Sequence, residues 1–172
     1  YGAQSIDHRD IDSVEKVLRS PWLTQGPAVR QFEETLAKNC GVKYAVATNS
    51  GTSALHLIAR SLGLGPLDEV ITTPFSFIAS SNCFLYEGAR PVFADVDKKT
   101  LCIDVSKIEE KITPKTKAIL AVDIFSHPAD WRRLEKIAQK HQLLLIEDSA
   151  EALGSKYYRR QCGSFGDAAV FA

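Results

Sequence analysis

Short apolar runs alternate with stretches of helical periodicity along this whole sequence, and that alternation constrains the fold more than any other feature. Ile11, Val14 and Leu18 share one helical face. Val29, Phe32, Leu36 and Cys40 share a second, which Gly41 stops. Residues 44–48 read as a buried strand. Ala54, Leu55, Ile58 and Leu62 predict a helix ending at Gly63. Residues 69–73 predict a strand closed by Pro74, residues 77–86 a helix ending at Gly88, and residues 91–95 a strand. Val105, Ile108 and Ile112 predict a helix between Asp104 and Pro114. Residues 117–122, 143–147 and 168–172 predict further strands, and Trp131, Leu134, Ala138 and His141 mark a helix between the first two of these. Continuous apolar strands alternating with helices imply an α/β fold of three layers, a mostly parallel sheet with helices on both faces. Residues 1–25, with one amphipathic helix and the loop 21–26, read as an arm before a sheet domain spanning 26–172.

Charge narrows the function. Lys plus Arg equal 21 and Asp plus Glu equal 21, so the net charge is zero. A neutral chain with no basic cluster is a poor binder of nucleic acid or of a membrane surface. No apolar run exceeds five residues, too short for a spanning helix or a leader. Cys40, Cys83, Cys102 and Cys162 show no C-x-x-C pair and no His at zinc spacing. They read as small buried or half-buried thiols in a reducing cytoplasm, with no metal site expected. His8, His56, His127 and His141 are scattered and read as helix-surface or packing residues. The sequence contains no Met and begins at Tyr1, so it is read as part of a longer protein.

In an open α/β sheet, ligands bind outside the carboxyl ends of the strands. Asn49-Ser50-Gly51-Thr52-Ser53 follows the first predicted strand and opens a helix. Free N–H groups and the helix dipole there suit a phosphate; an ordinary N-cap by Ser50 or Thr52 is the competing explanation. No Walker loop and no G-x-G-x-x-G is present, which weakens a kinase or dehydrogenase reading. Pro74-Phe75-Ser76-Phe77 and Asp123 follow later strands, and Glu147-Asp148 closes another, ahead of Ser149-Ala150-Glu151. A carboxylate at that rim suits a protonated heterocyclic nitrogen, or equally an N-cap or a salt bridge.

Together these segments resemble the sugar aminotransferases of the DegT/DnrJ/EryC1/StrS family, in the fold-type I class of pyridoxal-phosphate enzymes. The resemblance is carried by WLTQGP at 22–27, NSGTSALHL at 49–57, DEVITTPFSFIASSN at 68–82 and RPVFADVD at 90–97. It continues through TPKTKAI at 113–119, HPADW at 127–131, IEDSAEALGS at 146–155 and GSFGDAAVF at 163–171. It implies an incomplete large domain of the aspartate-aminotransferase type, with pyridoxal 5'-phosphate as cofactor. Gly51 and Thr52 would bind its phosphate, Phe77 would stack on the ring, and Asp148 would pair with the pyridine nitrogen. Glu151 matches the family's Gln, His or Glu near the ring hydroxyl. Tyr1 and the loop of Trp22, Leu23 and Thr24 match segments that approach the sugar-nucleotide substrate.

The chain also departs from the family. Ala172 stands where the family often has a Ser that helps hold the phosphate. The Schiff-base lysine would lie about five residues past Ala172, so the catalytic lysine and the smaller C-terminal domain are not in this chain. The resemblance implies transfer of an amino group, by family expectation from L-glutamate, to a nucleotide-linked 4-keto-6-deoxy sugar for surface polysaccharide or amino-sugar biosynthesis. It further implies a cytoplasmic homodimer, and an inactive 172-residue piece. A regulatory or dehydratase-type relative of the same fold is the alternative. An unrelated nucleotide-binding module is a third reading, against which the absent glycine motifs count.

Overall fold

The computed structural model describes residues 4–172, which divide into a unit ending at Ala47 and a second unit, Thr48–Ala172. The expectation for Tyr1 lies outside the described residues.

In the first unit, α1 spans His8–Leu18 and α2 spans Pro27–Cys40. Asp7 and Asp10 form a reciprocal capping box at the start of α1. Pro27 begins α2 where a missing N–H costs nothing, and Gly41 ends it in the left-handed region at φ 69°. The strand predicted at 44–48 does not form. Tyr44 and Val46 are 73% and 70% exposed, and the Ala47 N–H donates to the Glu33 carboxylate at 2.8 Å. Apolar β-formers describe side chains, whereas a strand exists only where a neighbouring backbone takes up its hydrogen bonds. Among the described residues none pairs with this segment.

The second unit opens with α3 (Gly51–Ser61), β1 (Glu69–Thr72), α4 (Ala79–Leu85) and β2 (Arg90–Phe93). It continues through β3 (Thr116–Val122), α5 (Trp131–His141), β4 (Leu144–Asp148), the hairpin β5 (Lys156–Tyr157) and β6 (Arg160–Gln161), and β7 (Ala168–Val170). The main sheet runs β2-β1-β3-β4-β7 with every pair parallel, as the continuous apolar runs predict. The chain moves from β1 outward to β2, then crosses back to β3 and proceeds the other way. With crossovers of one hand, that reversal puts successive helices on opposite faces.

Side-chain partners identify the faces. Asp148 meets Ser80 of α4, whereas Asp123, just past β3, meets Trp131 of α5 and shares Ser149 with Glu147. Glu147 and Asp148 are adjacent, so their side chains leave opposite sides of β4. The Trp131 indole stacks on Phe165, with centroids 5.2 Å apart and planes 7° from parallel. Leu55, Ala59, Val70, Cys83, Phe84, Leu120 and Ile146 are among the residues that fill the core.

One further local expectation is corrected. The helix predicted from Val105, Ile108 and Ile112 is two 3₁₀ turns, Val105–Lys107 and Glu109–Lys111. The Val105–Ile108 spacing of three suits a 3₁₀ turn as well as an α-helix, and the Asp104 carboxylate tightens the first turn by accepting from the Ser106 N–H at 3.0 Å. The hairpin of β5 and β6 carries no Gly or Asn signal; Tyr158 occupies its left-handed turn position at φ 54°.

Candidate functional site

The carboxyl ends of β1, β3 and β4 surround the point where the strand order reverses, the place where such sheets bind ligands. At this rim the chain gathers buried carboxylates, hydroxyls and aromatics.

Asp148 ends β4 and is 3% exposed. Its Oδ2 accepts from Ser80 Oγ at 2.6 Å, and its Oδ1 from the Ala150 N–H at 3.3 Å. Burial pushes the carboxyl above the usual range; the Ser80 and Ala150 hydrogen bonds pull it back, while the charges of Asp123 and Glu151 push further up. Glu69, buried at the opposite end of the strands, behaves otherwise. Arg90 and Thr113 hydrogen-bond it and hold its carboxyl low, as a structural ion pair does.

Ser50 caps α3 through its hydroxyl, which accepts from the Ser53 N–H at 3.1 Å. The cap therefore forms, and it leaves the N–H groups of Gly51 and Thr52 without partners among the described residues. A Cβ on Gly51 would stand 2.5 Å from the Ala172 Cβ, so a close approach of chain to chain requires the glycine here. The Ala172 N–H in turn donates to the Ala150 carbonyl at 3.4 Å. Gly51, Ala172, Ala150 and Asp148 thus form one continuous run of contacts.

Phe77 lies before α4, not within the predicted helix, and is 73% exposed. Its carbonyl accepts from the Ser80 N–H at 3.1 Å, which ties it to the residue that holds Asp148. Glu151 is exposed; its Oε2 accepts from the Phe125 N–H at 2.9 Å and its carbonyl from Ser126 Oγ at 2.5 Å. Phe125 and Ser126 both sit in the left-handed region, at φ 52° and 64°, so Glu151 clamps a strained turn. Phe125 meets Phe75 edge to face at 6.1 Å. The structure therefore joins Gly51, Phe77, Asp148 and Glu151 in the second unit. Trp22, Leu23 and Thr24 belong to the first unit, where Trp22 and Leu23 are 63% and 64% exposed.

Behind the rim lies a group whose roles the sequence did not disclose. Ser149 Oγ sits 2.6 Å from Asp123 Oδ2 and 2.7 Å from Glu147 Oε1. Asp123 Oδ1 also accepts from the Ala129 N–H and from Trp131 Nε1, at 2.8 and 2.9 Å. Glu147 accepts from the N–H groups of Gly163 and Phe165, at 2.5 and 2.8 Å. Burial pushes the Glu147 carboxyl up to about 7. Asp123, Glu147 and Cys162 could bring one ligand atom each within 4.8 Å of one another, but N–H and O–H hydrogens surround both carboxylates and would repel a cation. All four cysteines are buried; burial raises Cys83 to about 12 and Cys102 to about 11, which keeps both thiols protonated. Ser80 carried a readable signal, its four-residue spacing from Ser76 ahead of a helix.

The model of the DegT/DnrJ/EryC1/StrS aminotransferase family matches residues 4–172. The chain is 43% identical over 172 residues to the spore coat polysaccharide biosynthesis protein SpsC of Bacillus subtilis, covering 100% of this chain and 44% of that one. It is 42% identical over 171 residues to the GDP-perosamine synthase of Caulobacter vibrioides, covering 99% and 46%. Among solved structures it resembles Helicobacter pylori PseC, an aminotransferase involved in pseudoaminic acid biosynthesis, with a TM-score of 0.93 and 39% identity over 98% of this chain and 46% of that one. The chain thus spans about half the length of the curated relatives it matches.

Proposed function

The chain belongs to the DegT/DnrJ/EryC1/StrS aminotransferase family, and on that premise we propose that it is the cofactor-binding portion of a pyridoxal-phosphate-dependent sugar aminotransferase. The reaction moves an amino group from an amino acid, L-glutamate by family expectation, to the keto carbon of a nucleotide-linked 4-keto-6-deoxy sugar. The names of the relatives support that substrate class: one is a GDP-perosamine synthase and another a spore coat polysaccharide biosynthesis protein.

Asp148 is the observation that carries the reading. An ionised carboxylate offers about four acceptor sites. This one is buried with only two donors, one of them at 3.3 Å. Such a group suits a cationic N–H partner, and a protonated pyridine nitrogen is one. The donor set elsewhere fits the same cofactor, since the free N–H groups of Gly51 and Thr52 at the start of α3 suit its phosphate. When bound, pyridoxal phosphate supplies an electron sink for the amino donor's α-carbon.

The chain's own residues then have definite tasks. Asp148 keeps the proton on the ring nitrogen. Gly51 and Thr52 hold the phosphate through backbone N–H groups, and Phe77 covers the ring. Glu151, whose Oε2 accepts from the Phe125 N–H, would have its other oxygen left for the ring hydroxyl. Trp22, Leu23 and Thr24 meet the sugar nucleotide. By family expectation a lysine outside these 172 residues links to the cofactor, and the whole protein works as a homodimer.

The test uses the whole protein beside residues 1–172. Borohydride-reducible attachment of pyridoxal phosphate and amino transfer from glutamate to a keto sugar nucleotide are measured for each. The whole protein should do both and the shorter chain neither. Cofactor attachment without any transfer to keto sugar nucleotides would favour a regulatory or dehydratase-type activity instead.

A further inference from the structure

Ser80 stands between Asp148 and Ser76, and for an ionised Asp148 hydrogen counting sets the direction of both bonds. Ser80 Oγ is 2.6 Å from Asp148 Oδ2 and 2.8 Å from Ser76 Oγ. An ionised carboxylate only accepts, so the Ser80 hydrogen points at Asp148. Ser80 has no second hydrogen to give, so Ser76 donates to Ser80. The two hydroxyl dipoles line up with their positive ends toward the carboxylate, and each bond strengthens the other. Ser80 is 2% exposed, so water does not substitute for it.

We propose that Ser80, oriented by Ser76, is the positioning residue that keeps Asp148 ionised and leaves its Oδ1 edge for the cofactor nitrogen. The proposal rests on the pyridoxal-phosphate reading for its purpose, but the coupling of Ser80 to Asp148 stands on geometry alone.

The surroundings of Asp148 show why such a device is needed. Asp123 beyond β3 and Glu151 beyond β4 both repel its charge. From α4 comes the Cys83 thiol, whose Sγ lies 3.8 Å from the Ser80 carbonyl and which burial keeps neutral. Glu147, its neighbour on β4, leaves the opposite face of the sheet. No cationic side chain among the described residues bonds to Asp148. Against burial and two like charges, the hydroxyl relay and the distant Ala150 N–H are the groups that favour the ionised form.

The experiment follows the Asp148 carboxyl by carbon NMR in the whole apoprotein labelled at aspartate, with Asp148→Asn to assign the signal. Cofactor uptake by the same variants is followed by fluorescence and by the pH dependence of the bound cofactor's absorbance. In Ser80→Ala the Asp148 midpoint should rise by about one unit or more, the scale expected when a charged group loses a hydrogen bond in a buried site. Ser80→Thr should restore the wild-type midpoint, and Ser76→Ala should give a smaller rise. Cofactor affinity should fall in the order of those rises. A folded Ser80→Ala protein with an unmoved Asp148 midpoint would overturn the proposal, as would a Thr variant shifted as far as the Ala variant. Wild-type apoprotein that takes up no pyridoxal phosphate, with the midpoint shift still present, would overturn the functional reading and the relay's purpose while leaving the coupling intact.

Discussion

Asp123 and Glu147 share a single hydroxyl, that of Ser149, at 2.6 and 2.7 Å. One hydroxyl hydrogen serves one acceptor at a time, so two ionised carboxylates leave one contact unfilled. A proton held by Glu147 resolves this: the acid donates to Ser149, which donates to Asp123. The raised Glu147 carboxyl, at about 7, agrees with that arrangement.

Stability should therefore depend on pH through Glu147. Its folded value lies above the ordinary 4.5, so the folded chain binds a proton that the unfolded chain releases. The contribution is present below about 4.5 and is lost as pH rises to about 7. Denaturant titrations from pH 5 to 8 should show falling stability, and Glu147→Gln should flatten that fall. A wild-type protein whose midpoint rises over this window would contradict the arrangement.

Ser149→Ala should cost about 1–3 kcal/mol, because it leaves buried carboxylate oxygens without a donor. Equilibrium unfolding measures this, and a cost below a few tenths would show that water replaces the hydroxyl.

Gly51→Ala should destabilise by about 1–3 kcal/mol, the range for forcing a methyl into a packed contact. The added Cβ meets the Ala172 Cβ at 2.5 Å. Adding Ala172→Gly should recover most of the loss, and the double-mutant cycle reports the coupling directly. Full additivity of the two changes would show that the start of α3 and the segment after β7 separate freely.

Asp148→Ala in the whole protein should lower transamination by on the order of 10²–10⁴, the scale for losing a group that places a proton. Circular dichroism should stay unchanged. Near-normal turnover would remove Asp148 from its assigned role.

Glu151→Ala should free the left-handed pair Phe125 and Ser126, since their clamp is the Glu151 carboxylate on the Phe125 N–H. Amide exchange at Phe125 should quicken by about tenfold for each ~1.4 kcal/mol lost. Unchanged exchange would mean that Ser155, which donates to the Ser126 carbonyl at 3.0 Å, holds the turn without help.

The sequence by itself determined the parallel sheet, because strands buried on both faces need continuous apolar runs, and residues 118–122 of β3 and 144–146 of β4 are such runs. It also placed Phe77, Asp148 and Glu151 at or after strand ends, whereas the strand expected ahead of Gly51 does not form and Gly51 starts α3. Tertiary structure alone decided how those residues act. Ser80 and Asp148 are 68 positions apart, Phe125 and Glu151 26 apart, and no periodicity reports a hydrogen bond across such distances. Partnership also decided residues 44–48, whose apolar character was legible although no strand among the described residues pairs with them. Local pattern records which surface a residue prefers; only the assembled sheet determines which donors face its buried acids, and those donors decide where the protons rest.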